Sequence, residues 1–159
     1  MGVAGLRPTS QGSIHIRSVE PLAGPSIRPN FLASQADRQT LVDGMKIARR
    51  IAGQPALAHY IDFEMSPGKA VQSDDQWLDF ARGNGQTIYH PIGTCRMGSD
   101  ADAVVDPRLR FNGLTGLRVV DASVMPAMVS GNTQAAVMMV AERGADMILQ
   151  DAHRNEAHP

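Results

Sequence analysis

Helical periodicity is the clearest pattern in the first half of the chain. From Asp37 onward, apolar residues recur at helical spacing, at Leu41, Met45, Ile47, Ala48 and Ile51. Such a stripe is typical of a helix with one face against a core. Ser34 or Gln35 can begin this helix, and Gly53 with Pro55 can end it.

Two further helices are predicted before residue 85. A short one covers Ala56–Tyr60, and a longer one runs over residues 73–82, with Ser73 as its capping residue and acidic residues in its first turn. Its core face consists of Trp77, Leu78, Phe80 and Ala81. We interpret Trp77 as an anchor of packing, with a platform for a substrate as the alternative.

Strand patterns are short. Gly12–Ser18 alternates apolar and polar residues, which predicts a half-buried strand, and the Pro- and Gly-rich residues 20–34 predict a structured loop. Leu117–Asp121 is predicted to be a short, mostly buried strand that leads into a turn.

The last long pattern predicts a helix from Thr133 to about Leu149, with Asn132 as its N-cap. One apolar stripe is formed by Val137, Val140, Ala141, Gly144 and Ile148. Met138 and Met139 widen the stripe until the first two turns are apolar nearly all round, so we expect this helix, methionines included, to be buried. The polar tail from Gln150 is expected to be flexible.

Composition excludes several classes of protein. The chain has 159 residues, 43% apolar and 19% charged, as in a globular protein, and its net charge of −1 gives no basic surface for nucleic acid. We interpret the adjacent pair Arg49 and Arg50 as part of a solvated helix face. The longest apolar run, Ala135–Ala141, is far shorter than the roughly 20 residues that span a bilayer, so no membrane span is expected.

Cysteine and histidine usage limits redox and metal chemistry. The single Cys95 excludes an internal disulfide, and Met1–Leu6 has no signal-peptide features, so we expect a cytoplasmic location. The five histidines lack the spacing of a helical zinc site, and no metal site is expected. Gly83 and Gly85 are not a dinucleotide fingerprint, because Ile88 stands where the third glycine is needed.

The segment Thr87–Gly98 carries the strongest candidate for catalysis. Pro91 disfavours a helical conformation at His90, so this histidine is presented from a stiff loop. Histidine is the side chain whose ordinary pKa lies nearest neutrality, and a fixed one can take a proton from a substrate hydroxyl. His-Pro turns also serve in packing, and the residue types alone favour that alternative.

Four motifs follow the histidine segment in order: Val104–Phe111, Gly113–Pro126, Ser130–Ala135 and Ala141–Ile148. Together, over residues 87–149, they resemble the C-terminal signature of the glucose–methanol–choline flavoprotein oxidoreductases. Ahead of them, residues 6–12 and 29–32 resemble part of the same family's substrate domain.

The resemblance implies an α+β or α/β fold that is one part of a larger flavoprotein. Residues 1–98 would be part of an antiparallel-sheet substrate domain with helices, residues 99–149 a strand and helix that return to the FAD-binding domain, and residues 150–159 a flexible tail. The family's N-terminal glycine-rich FAD-binding fold is not in this sequence. We therefore expect a missing N-terminal portion, in the same or a separate chain, and a lone chain that is marginally stable, exposes apolar surface and does not hold FAD.

For chemistry, the resemblance implies FAD-dependent oxidation of an alcohol. His90 would accept the hydroxyl proton and Asn132 would hydrogen-bond the developing alkoxide. The helix start at Asn132 and Thr133 would face the flavin, and Asp121 and Ala122 would approach its diphosphate or ribityl chain. The structural alternatives are an ordinary helix cap at Asn132 and a turn-forming Asp121.

Three functional hypotheses stay open. The chain is the catalytic C-terminal portion of an alcohol dehydrogenase or oxidase, a non-catalytic assembly module, or a relic without function. The pairing of His90 with Asn132, rather than with a second histidine, resembles the choline and aliphatic-alcohol branch of the family.

Overall fold

The computed structural model describes residues 1–156, and the chain divides into two compact units. The first unit ends at Ile88 and the second begins at Tyr89. The segment that carries His90 therefore lies in the second unit, and the domain boundary predicted at residue 98 stays a prediction.

The first unit, residues 1–88, combines a small antiparallel sheet with helices. Strand β1, Ser13–His15, pairs with β2, Ser26–Arg28. Three helices follow: α1 over Gln35–Ala52, α2 over Pro55–Ala58 and α3 over Asp74–Asn84. The predicted strand is present but shorter than expected, and all of β1 is exposed, because this unit places no layer over the sheet.

Local capping explains why the two longer helices begin where the sequence predicts. The Ser34 hydroxyl accepts a hydrogen bond from the Asp37 N–H at 3.0 Å and caps α1. Ser73 and Gln76 form a reciprocal capping box at the start of α3. Trp77 is only 2% exposed, as expected for an anchor of packing, and α1 contacts α3.

Arg49 does not lie on a solvated face, so that interpretation was wrong. Its guanidinium donates to Glu64 and to the carbonyl oxygens of Gly68 and Val71, and its Cζ lies 4.1 Å from the centre of the Trp77 ring. The physical reason is helical spacing: Arg49 follows Met45 by one helical turn and therefore shares its face.

The second unit packs irregular chain against one long helix. Helix α4 spans Gln134–Glu156. The core consists of Val105, Leu109, Val124, Val140 and Met147, with Met97, Val104, Val119 and Val120 packed around it. The predicted strand over Leu117–Asp121 was wrong: in the described residues this segment forms a single antiparallel bridge, between Arg118 and Arg110, flanked by backbone hydrogen bonds of Leu117 and Val119. A strand needs a paired segment along its length, and here the pairing covers too few residues to form one.

Helix α4 differs from its prediction at both ends. It begins at Gln134, and the Thr133 carbonyl accepts the Val137 N–H at 2.9 Å, so Thr133 and not Asn132 is the N-cap. It continues through residue 156, so the predicted end near Leu149 was wrong. The flexible tail predicted over residues 150–159 stays a prediction, and residues 157–159 lie outside the described part. Asp151 explains the extension, because it pairs with Arg108 and a second arginine of the unit.

One face of α4 is exposed in the described part of the chain. Val140, Gly144 and Met147 are buried, whereas Met138 and Met139 are 59% and 61% exposed. The expectation that both methionines lie in a core is not met here, and the expectation of exposed apolar surface is confirmed. None of the helices in residues 1–156 has the length and apolar character needed to cross a membrane.

Candidate active site

The backbone around His90 is restricted on both sides. Tyr89 has a φ of 60°, which bulky residues seldom adopt. Pro91 disfavours a helical conformation at His90 itself. Gly93 has a φ of 83°, where a side chain would be strained, so the chain reverses just after the histidine. The half-buried His90 is thus carried by an irregular loop with few accessible conformations.

Hydrogen bonds tie this loop to the segment that follows Asp121. The N–H groups of Cys95 and Met97 donate to the carbonyl oxygens of Ser123 and Val124 at 3.0 and 2.9 Å. A 3₁₀ turn over Ala122–Val124 presents these carbonyls. Two of the predicted site residues, Asp121 and Ala122, therefore begin the segment against which the histidine loop is held.

Asp121 forms a local turn. Its Oδ1 accepts hydrogen bonds from the Ser123 N–H at 2.7 Å and from the Ser123 hydroxyl at 2.5 Å. This is the structural alternative that the sequence left open. The side chain is exposed, and its second carboxylate oxygen remains able to accept a hydrogen bond from a ligand.

The central contact of the site joins His90 to the start of α4. His90 Nδ1 and the Thr133 hydroxyl oxygen lie 3.1 Å apart. Thr133 is 6% exposed and is the one buried polar residue among those described. Sequence reasoning placed Thr133 near a cofactor but missed this bond, because the two residues are 43 positions apart and no local pattern links them.

Asn132 lies beside this contact in the chain and faces outward. It is exposed, and within the described residues its carboxamide has no hydrogen-bond partner. The amide can both donate and accept. A ligand approaching the start of α4 would therefore meet a free amide group next to the residue that contacts His90.

Arg96, in the same predicted catalytic segment as His90, is already paired with a carboxylate. Arg96 donates two hydrogen bonds to Asp100, at 2.9 and 2.6 Å. Hydrogen bonding by Arg96 outweighs partial desolvation and lowers the pKa of Asp100 to about 2. Because Asp100 stays ionised above that pH, Arg96 keeps a paired counter-charge and is not a free cation for an anionic substrate.

The residues at the start of α4 fit a flavin better than a metal. The first N–H groups of a helix lack intrahelical partners and carry partial positive charge, which suits the negative charge that a flavin ring gains on reduction. The free amide of Asn132 adds a neutral hydrogen-bonding group. Within residues 1–156, no group of three or more His, Cys, Asp or Glu side chains could hold a metal ion.

A family model described as GMC oxidoreductase matches residues 8–141. The chain belongs to this family. The match includes most of both compact units and corresponds to the C-terminal part of GMC oxidoreductases. An α+β fold with a small antiparallel sheet and four helices over residues 1–156 agrees with that assignment.

Named GMC relatives share this region at substantial identity. An alcohol dehydrogenase (acceptor) from Pseudomonas putida is 45% identical over 148 residues, which are 93% of this chain and 27% of the relative. An oxygen-dependent choline dehydrogenase from Acinetobacter baumannii is 44% identical over 92% of this chain and 26% of its own length. A solved FAD-dependent oxidoreductase from Chaetomium thermophilum superposes with a TM-score of 0.87 at 29% identity, over 93% of this chain and 26% of that one.

The chain thus spans about a quarter of the length of the curated GMC relatives that it matches. The remaining three-quarters of those relatives have no counterpart in this sequence. GMC membership is a property of this chain, whereas the activity of a whole GMC enzyme can only be proposed for it.

Proposed function

We propose that this chain is the catalytic C-terminal portion of an FAD-dependent enzyme that oxidises the CH–OH group of an alcohol. The observation that carries the proposal is the 3.1 Å contact between His90 and Thr133, which holds a histidine at the start of α4. That position is next to the free amide of Asn132. A base and a neutral hydrogen-bonding group are the two elements that deprotonation of an alcohol requires.

His90 and Asn132 have distinct roles. The contact with Thr133 occupies Nδ1 of His90, so Nε2 is the ring nitrogen that accepts the hydroxyl proton of the substrate. As the proton leaves, negative charge develops on the substrate oxygen. The Asn132 amide N–H donates a hydrogen bond to that oxygen and stabilises the charge.

Asn132, Thr133, Asp121 and Ala122 would hold FAD. The N–H groups at the start of α4 would face the ring, and the second carboxylate oxygen of Asp121 would accept a hydrogen bond from a ribityl hydroxyl. A diphosphate is a poorer partner for Asp121, because two anions repel. FAD, when bound, supplies the acceptor for the hydride of the alcohol carbon.

The missing FAD-binding portion would come from the rest of a longer chain or from a separate chain. Two observations indicate that such a portion is required. The relatives are about four times longer than the matched region, and α4 leaves Met138 and Met139 exposed. Exposed apolar side chains on an otherwise packed helix are typical of a surface that another part of the protein covers.

For the substrate, we propose choline or an aliphatic alcohol. The His90 and Asn132 pair and the names of two relatives, an alcohol dehydrogenase and a choline dehydrogenase, support this choice. The alternative function is a non-catalytic assembly module of a split enzyme. It draws support from the short match to the relatives.

The first experiment is a visible absorption spectrum of tagged protein purified gently from its own cells. Flavin bands, together with a second chain or a longer product on the gel, would support the catalytic proposal and justify assays with choline and simple alcohols. A colourless protein that gains no flavin when mixed with a GMC flavin-binding portion would contradict it and favour the assembly module.

The second experiment tests His90 in the flavin-loaded enzyme. His90→Ala should lower turnover by about 10²- to 10⁴-fold, the usual size of a general-base contribution. The rate of flavin reduction by substrate should fall with it. An unchanged rate of flavin reduction in this variant would refute the role of His90.

A further inference from the structure

We propose that Thr133 is a positioning residue that keeps the proton of neutral His90 on Nδ1, so that Nε2 is always the free base. This inference rests on the proposed function for its catalytic consequence. The hydrogen bond itself is a property of the chain alone, and it can be measured without turnover.

The geometry is compatible with donation from His90 to Thr133. A threonine hydroxyl can donate or accept, so the contact alone permits either tautomer of His90. A separation of 3.1 Å lies within the usual range for an N–H donor and an oxygen acceptor. In the direction proposed here, the Nδ1–H of His90 donates to the Thr133 oxygen, which leaves a lone pair on Nε2.

A hydroxyl acceptor suits a base that gains and loses charge. When Nε2 takes up a proton, Nδ1 stays protonated, so the same hydrogen bond to Thr133 persists in both charge states. No reorganisation of this bond accompanies proton transfer, which keeps the ring in place during the reaction. Without Thr133, the proton of the neutral ring could move to Nε2, and that form of His90 cannot accept a proton at Nε2 from an alcohol.

Both partners of the bond are held by the fold. The carbonyl of Thr133 accepts the first helical hydrogen bond of α4, from Val137, and the Thr133 side chain is buried. A β-branched residue also has few side-chain conformations. The His90 loop is restricted by Tyr89 and tied to Ser123 through Cys95. The hydroxyl is thus a fixed point on a rigid element rather than a mobile surface group.

The direct test is the tautomer of His90, read by NMR from correlations between the ring protons and the two ring nitrogens in histidine-labelled chain at a pH where the ring is neutral. The wild-type chain and Thr133→Ser should carry the proton on Nδ1. Thr133→Val, which keeps the shape but removes the hydroxyl, should move it to Nε2 or to a mixture. The signals of His15 and His59, which lie in the other unit, should not change.

The kinetic test uses the flavin-loaded enzyme. Thr133→Val should lower kcat by about 10- to 100-fold, the size seen for residues that orient a functional histidine, with little change in KM. Thr133→Ser should recover most of the loss. A helix-capping role alone would lower stability but leave the tautomer in place.

The outcomes separate this inference from the proposed function. If a folded Thr133→Val chain still carries the proton on Nδ1, the inference is overturned, whatever the kinetic result. A shifted tautomer with unchanged kcat overturns the catalytic part of the inference while His90→Ala still tests the base. An unchanged rate of flavin reduction in His90→Ala refutes the proposed function and leaves the tautomer result standing as a structural fact.

Discussion

Gly144 of α4 lies directly against Val120. A Cβ atom added at Gly144 would stand 2.4 Å from Cγ1 of Val120 and 3.4 Å from Cδ1 of Leu109. The first distance is far below van der Waals contact, and the valine has few rotamers with which to yield. The close approach of α4 to the Val120 segment therefore depends on the absence of a side chain at residue 144.

We expect Gly144→Ala to destabilise the second unit by up to about 2 kcal/mol. The overpacking penalty of about 1–3 kcal/mol exceeds the gain of up to about 1 kcal/mol from higher helix propensity. Urea unfolding followed by circular dichroism measures the change. Gly83→Ala is the matched control: a Cβ there meets nothing within 4 Å in helix α3, so this variant should be neutral or slightly stabilising. Equal stability of the two variants would contradict the close packing.

Helices of the first unit were predictable because their signals are local. The Ser34 cap of α1 and the capping box at Ser73 lie within one turn of the helix starts that they define. Burial of Trp77 also followed from the periodicity of α3. Capping and amphipathic spacing act over a few residues, so a single sequence contains the necessary information.

Contacts across many residues were not predictable in this way. The bond between His90 and Thr133 spans 43 positions, and the pairs of Asp151 with Arg108 and Arg118 span 43 and 33. These contacts decide the tautomer of the proposed base and the length of α4. The family resemblance supplied the candidate residues of the site, but not the hydrogen bond between two of them.

Arg49 is the case in which a signal was present and was misread. Met45 and Arg49 are one helical turn apart, so the apolar stripe already placed Arg49 on the packed face. The two adjacent arginines were interpreted instead as a charged, solvated face. Only Arg50 of that pair is exposed.

We expect Arg49→Lys to destabilise the first unit by about 1–3 kcal/mol. Lysine keeps the charge but loses the planar fork that reaches Glu64, Gly68 and Val71, and it stacks less well on Trp77. Chemical unfolding monitored by Trp77 fluorescence reports on this site. Arg50→Lys should change the free energy of unfolding by less than about 0.5 kcal/mol, because Arg50 is exposed. Similar losses of unfolding free energy in both variants would show that the geometry of the Arg49 guanidinium does not contribute to stability.

Asp37 is expected to make the first unit sensitive to acid. Partial desolvation raises its pKa, but hydrogen bonds from Ser10 and Thr9 outweigh this and hold the pKa well below its ordinary value. Because the folded pKa is depressed, the stabilisation is complete above the ordinary pKa near 4 and is lost as the pH falls toward the folded value.

Asp37→Asn should therefore lower stability by about 1–3 kcal/mol at neutral pH and reduce the loss of stability between about pH 4 and 2. Unfolding midpoints measured from pH 7 to pH 2 test both parts. Asp43→Asn is the control, because Asp43 is exposed and accepts one bond from Gln39 on its own helix. An acid profile unchanged by Asp37→Asn would refute the assignment.

Asp151 joins the last turns of α4 to the body of the second unit. One of its oxygens accepts from Arg108 at 2.8 Å and the other from Arg118, whose side chain is 17% exposed. Partial desolvation raises the pKa of Asp151, and hydrogen bonds from Arg118 and Arg108 outweigh it, so the pKa is lowered. As for Asp37, the folded pKa is depressed, so the stabilisation by ionised Asp151 is present above about pH 4 and is lost as the pH falls below it.

We expect Asp151→Asn to lower the thermal midpoint of the second unit by several degrees and to fray α4 beyond Leu149. A neutral amide cannot hold two guanidinium groups, and Arg118 would be left partly buried without its counter-charge. Hydrogen exchange of residues 150–156 should rise in this variant and stay unchanged in Asp146→Asn. Asp146 is 64% exposed and lies 4.0 Å from Arg143, so its pair adds little. Unchanged exchange in Asp151→Asn would mean that helix propensity, and not the two arginines, extends α4.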